Sequence, residues 1–197
     1  DINGNGLFDP TGANNDQTNR DIAFVFGLNT DLLFAGNFAP VGATSASGFD
    51  NLAAFGQVGG GGGPYRFLLD FNSDGVADLN VTSHVNGNGA IPIAGNFAPG
   101  HPGDEIGIFN GQRWTLDSNG NHILGDAGDR VLQGDLSGTP IVGDFDGDGL
   151  DDLATYKNGV FSFDLAANGL TANAEAAINF GFFGAFETPV AADLNLD

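Results

Sequence analysis

The sequence predicts an all-β repeat protein: a β-propeller, or a propeller-like array, of about four blades, each made of four short antiparallel strands. Three observations predict it. Two short motifs recur in alternation and share a step of about 48 residues, the mark of a repeat architecture. The apolar segments between them are short and bounded by Gly, Asn or Asp, which is strand-and-turn punctuation. Glycine supplies 33 of the 197 residues, so positions for tight turns are plentiful.

The first motif reads Phe34-Ala35-Gly36-Asn37-Phe38, then Ile93-Ala94-Gly95-Asn96-Phe97, then Ile141-Val142-Gly143-Asp144-Phe145, then Val190-Ala191-Ala192-Asp193-Leu194. Its steps, taken from Asn37 to Asn96, Asp144 and Asp193, are 59, 48 and 49 residues. The second motif begins at Asp1, Asp70, Asp117 and, in worn form, Asp164, with steps of 69, 47 and 47. The longer steps coincide with extra residues at 11–20, 41–48 and the glycine run 59–63, which reads as a hairpin tip. One repeat domain therefore spans 1–197, with units at about 33–89, 90–138 and 139–189. Residues 1–32 together with 190–197 make up the remaining unit. A four-bladed ring closed by its own termini and an arc of a larger propeller or open array both fit this count.

Within one unit the predicted strands are 90–96, 105–110, 112–117 and 129–134, separated by Gly, Asn or Asp turns. The Ala-rich stretch 172–179 looks helical on its own, but repeat register makes it a fourth strand. Candidate core residues are Ile22, Phe24, Phe26, Phe55, Phe67, Ile108, Phe109, Trp114, Tyr156 and Phe163.

Composition narrows the function. Asp plus Glu number 25 against 5 Lys plus Arg, a net charge of −20. Such a chain lacks the basic patches that nucleic acid or anionic membrane would require, and it suits cations. No Cys is present, which removes disulfides, zinc–thiolate sites and thiol catalysis together. No run approaches the roughly 18 apolar residues of a membrane span. Met is absent and no signal peptide leads the sequence, so a mature or excised segment is expected.

The most informative stretch is 143–156. Asp144, Asp146 and Asp148 occupy positions 1, 3 and 5 of a loop, Leu150 offers a backbone carbonyl at position 7, and Asp152 closes at position 9. Calcium takes six to eight oxygen ligands, and alternate carboxylates on a tight loop converge on one centre. Position 12 is Thr155 rather than an acid, and a strand ending at Lys157-Asn158-Gly159 follows rather than a helix, so this is not an EF-hand. Two copies of the second motif carry a similar ligand set. One is Asp70, Asn72, Asp74, the Val76 carbonyl and Asp78; the other is Asp1, Asn3, Asn5, the Leu7 carbonyl and Asp9. Asp193, Asn195 and Asp197 begin a further set that breaks off, as expected of a piece of a longer protein or of a site completed from elsewhere. At Asp117, Asn119, Asn121 and Asp126 the closing acid comes one residue late, so a plain Asn-Gly turn is the alternative. The copies at Asn37 and Asn96 have lost the oxygens at positions 3 and 5, although Asp104 and Glu105 persist, and read as structural turns. His84, His101 and His122 share no repeat position and no catalytic motif, and read as surface residues. Asn80-Val81-Thr82 fits a glycosylation sequon.

The segment Gly143-Asp144-Phe145-Asp146-Gly147-Asp148-Gly149-Leu150-Asp151-Asp152-Leu153-Ala154 resembles the FG-GAP repeat of integrin alpha-subunit propellers and its bacterial VCBS-type relatives. Trp114-Thr115-Leu116-Asp117-Ser118-Asn119-Gly120-Asn121 resembles the partner loop of the bacterial versions. The resemblance covers nearly the whole chain and implies a propeller whose loops hold Ca²⁺, in secreted or surface proteins used for adhesion, ligand binding or architecture. It departs from the family at Asn37 and Asn96, and supplies about four blades where relatives have seven.

The expected function is a calcium-stabilised extracellular module for adhesion or scaffolding, without catalysis. Its expected partners are calcium ions and, among macromolecules, other protein subunits or surface glycans. One alternative is a carbohydrate-binding propeller or accessory domain of a secreted hydrolase or lyase, with Trp114, Tyr65 and Tyr156 as stacking faces. Another is a subunit of an extracellular filament or surface layer.

Overall fold

The computed structural model describes residues 23–165, 174–179 and 188–191, and these form three four-stranded antiparallel sheets, none closed into a barrel. Leu32–Gly36 (β1), Asn51–Gln57 (β2), Tyr65–Leu69 (β3) and Leu79–Thr82 (β4) make the first sheet. Ile91–Gly95 (β5), Glu105–Asn110 (β6), Arg113–Leu116 (β7) and Arg130–Gln133 (β8) make the second. Thr139–Gly143 (β9), Asp152–Lys157 (β10), Val160–Asp164 (β11) and Ala176–Asn179 (β12) make the third. In each sheet the strands pair in sequence order, so every sheet is a simple meander.

Local chemistry explains the meanders. Lys157 pairs with Val160 across a two-residue turn in which Asn158 and Gly159 take φ of 53° and 79°. Positive φ at both central residues matches the right-handed twist of the flanking strands, and Asn-Gly is the pair that tolerates it best.

The core follows the two-residue period of β6. Ile106 and Ile108 point into a cluster with Phe38, Phe55, Phe67, Leu69 and Leu124 of the first sheet and its neighbours. Phe109 points the other way, into a cluster with Trp114, Leu116, Leu132 and Leu153. The second sheet is thus packed on both faces, which is why Glu105 to Phe109 are all buried. The leading strands follow one another, β1 beside β5 and β5 beside β9. Their approach is close enough to demand glycine: a Cβ on Gly36 would lie 2.6 Å from the Cβ of Ala94, and one on Gly95 would lie 2.5 Å from Cγ1 of Val142. Gly143 stands at the equivalent place, where a Cβ would meet the Cβ of Ala191 at an ordinary contact distance of 3.8 Å.

The predicted strands of the 90–138 unit agree with β5 to β8 to within a residue at each end. The Ala-rich stretch carries β12, a strand as the repeat register predicts. The glycine run 59–63 lies in the β2–β3 hairpin, which closes with Val58 N–H donating to the Pro64 carbonyl. One core assignment is corrected. Phe24 is 44 % exposed, because its ring lies against the loop at Gly75 rather than between sheets. Phe26, Tyr156 and Phe163 are half-buried, and Ile22 lies outside the described residues. Among the described residues no helix is long and apolar enough to cross a membrane.

Candidate metal centre

In a four-stranded meander the connections from first to second strand and from third to fourth leave by the same end. The loops that carry the two motifs among the described residues are such connections: 37–50, 96–104 and 144–151 in the first class, 70–78 and 117–129 in the second. This explains why two motifs alternate along the chain, and it collects the carboxylates at one end of each sheet.

The β9–β10 loop is wound by its own backbone. Asp144 Oδ1 accepts from the N–H groups of Gly147 and Asp148 at 2.6 and 3.1 Å, and its Oδ2 accepts from Gly149 at 3.0 Å. Asp146 Oδ1 accepts from Asp148 N–H, and Asp148 Oδ1 accepts from Leu150 N–H. Asp152 Oδ2 takes the Phe145 N–H at 2.8 Å, tying position 9 back to position 2. Gly147 and Gly149 make the required bends with φ of 82° and 90°. The result is one group of carboxylates, Asp144, Asp146 and Asp152, each with an oxygen within 4.8 Å of the others, the one such group among the described residues. Asp148, assigned to the ligand set from the sequence, is not part of that group; one of its oxygens is committed to Leu150.

Like charges held this close disfavour ionisation. Burial, aided by the neighbouring Asp146 and Asp148, pushes the Asp152 carboxyl up from 3.8 to about 6, against the opposing pull of the Phe145 N–H. The chemistry fits a hard divalent cation: oxygen donors only, on a preformed loop, with charge that a cation would cancel.

The Asp70 loop repeats this winding. Asp70 Oδ1 accepts from Asn72 and Ser73, and its Oδ2 from Gly75. Asn72 Oδ1 accepts from Asp74 N–H, Asp74 Oδ1 from Val76 N–H, and Asp78 Oδ2 from Phe71 N–H at 2.7 Å. Asn at position 3 lowers the charge, and Asp70, Asp74 and Asp78 do not converge as the Asp144 set does. The sets at Asp1, Asn3, Asn5, Leu7 and Asp9 and at Asp193, Asn195 and Asp197 lie outside the described residues.

The Asp117 loop satisfies its closing acid from within. Asn119 Nδ2 and Asn121 Nδ2 donate to the two oxygens of Asp126 at 2.7 and 2.6 Å, so both oxygens of that carboxylate are held by side-chain amides.

The emptied loop at Asn96 keeps only the clasp. Glu105 Oε2 accepts from the N–H groups of Phe97 and Ala98 at 2.7 and 3.0 Å, the counterpart of Asp152 with Phe145. Burial pushes the Glu105 carboxyl up to about 8, so at neutral pH the clasp is closed without net charge.

The sequence reading missed the acid preceding each clasp. Asp104 Oδ2 accepts the Asn37 N–H at 2.8 Å while its own N–H donates to the Asn37 carbonyl at 3.0 Å. Asp151 makes the same pair with Asn96, at the same distances. These carboxylates join one unit to the next, and burial raises both above the usual range. An acid immediately before the second strand recurs in the sequence as Asp50, Asp104 and Asp151, a regularity that marks the position without naming its partner.

Two further assignments change. His122 is not a surface residue: it is 3 % exposed and its Nε2 lies 2.7 Å from the Ala39 carbonyl oxygen. Trp114 is fully buried and offers no face to a sugar, whereas Tyr65, stacked on Phe55 at 5.2 Å, and Tyr156, packed against Phe161, are half-buried. No family model, curated protein or solved structure matches this chain.

Proposed function

We propose that this chain is a calcium-stabilised extracellular repeat module, its units arranged as propeller blades, serving adhesion or structural scaffolding without catalysis. The observation that carries the reading is the convergence of Asp144, Asp146 and Asp152 oxygens to within 4.8 Å on a loop already wound by its backbone. Asp144, Asp146, Asp148, Asp152 and the Leu150 carbonyl would hold the ion there; Asp70, Asn72, Asp74, Asp78 and the Val76 carbonyl are the second set. Bound calcium supplies the positive charge that offsets these carboxylates and fixes the loops. The likeness of residues 143–154 to FG-GAP repeats supports the surface and adhesion role.

Extracellular calcium modules bind with Kd of about 10⁻⁴ to 10⁻³ M. At roughly millimolar calcium each filled site then adds about 0.4–1.4 kcal/mol. Two sites together add about 1–3 kcal/mol, and at about 2–4 °C per kcal/mol for a chain of this size, excess EDTA is expected to lower Tm by several degrees. An unchanged melt would remove structural calcium from the account. Asp146→Ala is expected to lower the calcium stoichiometry by one, read by isothermal titration calorimetry, and to leave the far-UV circular dichroism unchanged.

A further inference from the structure

We infer that Asn96, which belongs to the preceding unit, is a positioning residue for the Asp144 loop, so that ion binding there and the junction between the two units stabilise each other. The inference rests on the metal reading above. Asn96 follows β5, yet it makes three hydrogen bonds to the loop after β9. Its N–H donates to Asp151 Oδ2 at 2.8 Å, its carbonyl accepts from Asp151 N–H at 3.0 Å, and its Nδ2 donates to the Gly149 carbonyl at 2.9 Å. Gly149 and Asp151 flank Leu150, the position-7 carbonyl, and Asp151 directly precedes Asp152, the position-9 carboxylate. Two of the five expected ligands therefore lie on backbone held by a neighbour. Asn96 Oδ1 is itself buried, and the residue lines a cavity of about 20 Å³ with Leu150, Asp151 and Asp152 directly behind the loop.

Two internal comparisons make the arrangement specific. At the preceding junction Asn37 makes the same backbone pair with Asp104, but its side chain turns inward to Ser47 Oγ and Gly48 N–H of its own loop. The amide reaches across only where the neighbour carries the acidic ligand set. The Asp70 loop, in turn, is wound by hydrogen bonds among residues 70–78 and steadied by Asn51 of its own sheet, whose Nδ2 donates to Ser73 Oγ at 2.9 Å, rather than by an amide of a neighbouring unit. By linkage, a junction that favours the ion-competent loop must itself be favoured by the ion, to the same factor.

The test is a calcium titration followed by NMR, with the amides of Gly147 and Gly149 reporting the Asp144 loop and those of Asn72 and Gly75 the Asp70 loop. Asn96→Ala removes the Nδ2 bond and leaves the backbone pair in place. Loss of one hydrogen bond of ordinary net strength is expected to weaken binding at the Asp144 loop about fivefold and leave the Asp70 loop unchanged. In the unsubstituted chain, which avoids any folding defect of the variant, hydrogen exchange at the Asn96 and Asp151 amides is expected to slow on adding calcium. Equal weakening of both loops, an Asp144 titration that superimposes on wild type, or exchange rates indifferent to calcium would each overturn the inference while leaving the metal site standing. If neither loop of the wild type responds to calcium, the metal reading fails and takes this inference with it.

Discussion

Asp70→Ala is expected to cost about 3 kcal/mol, whether or not calcium is present. The Asp70 side chain is fully buried and accepts the N–H groups of Asn72, Ser73 and Gly75 at 3.1, 2.8 and 2.8 Å. Truncation leaves those three donors without their acceptor, and each buried orphan costs about 1–3 kcal/mol, with partial rescue by water where the loop is open. For a chain of this size the loss corresponds to a fall in Tm of about 6–12 °C, measured calorimetrically in EDTA. Asp70→Asn keeps one oxygen acceptor and is expected to cost less. A change under about 1 kcal/mol for Asp70→Ala would mean that the loop is not held by its first residue.

Glu105→Gln is expected to be stabilising in alkali. Glu105 is 2 % exposed, and burial holds its carboxyl at about 8 instead of 4.5. Between those values the folded chain keeps a proton that the unfolded chain has released. Stability contributed through this group is therefore greatest below about pH 4.5, falls as pH rises, and is lost once pH passes about 8. Gln can accept the same two N–H bonds from Phe97 and Ala98 without a charge. The variant should match wild type near pH 4 and exceed it by a few kcal/mol at pH 9, measured by urea denaturation at both values. Parallel pH profiles for the two proteins would show that Glu105 ionises freely.

Asp152 follows the same sign over a lower window. In EDTA its raised carboxyl makes the chain lose stability as pH rises from 3.8 to about 6. Calcium reverses that trend, because a ligand must shed its proton before it coordinates. Calcium affinity at the Asp144 loop is therefore expected to fall as pH drops below about 6, by up to tenfold per pH unit.

Much of the fold was legible because a strand of this chain is punctuated locally. The Asn158-Gly159 turn, the apolar run of Glu105–Asn110 and the register of the Ala-rich stretch each specify their element within a few residues of sequence. The winding of the Asp144 and Asp70 loops was legible for the same reason, since the hydrogen bonds by which each loop closes on itself span seven residues or fewer. What sequence did not disclose lies between units. Nothing beside Asp151 announces that its carboxylate meets Asn96, 55 residues earlier, or that Asp104 meets Asn37 across 67. His122 was misjudged for a similar cause, its partner Ala39 standing 83 residues away. Phe24 was placed in the core on hydrophobicity alone, whereas its position beside Gly75 is set by the segment leading into β1. Asp148 stands outside the convergent group because spacing fixes where a residue lies on the loop but not where its carboxylate points.

The account depends on an ion in the β9–β10 loop, and anomalous diffraction from crystals grown with calcium addresses that most directly. The expected map has a peak about 2.3–2.6 Å from carboxylate oxygens of Asp144, Asp146 and Asp152 and from the Leu150 carbonyl oxygen. A map without such a peak, its Asp144, Asp146 and Asp152 side chains turned apart toward solvent, would contradict it.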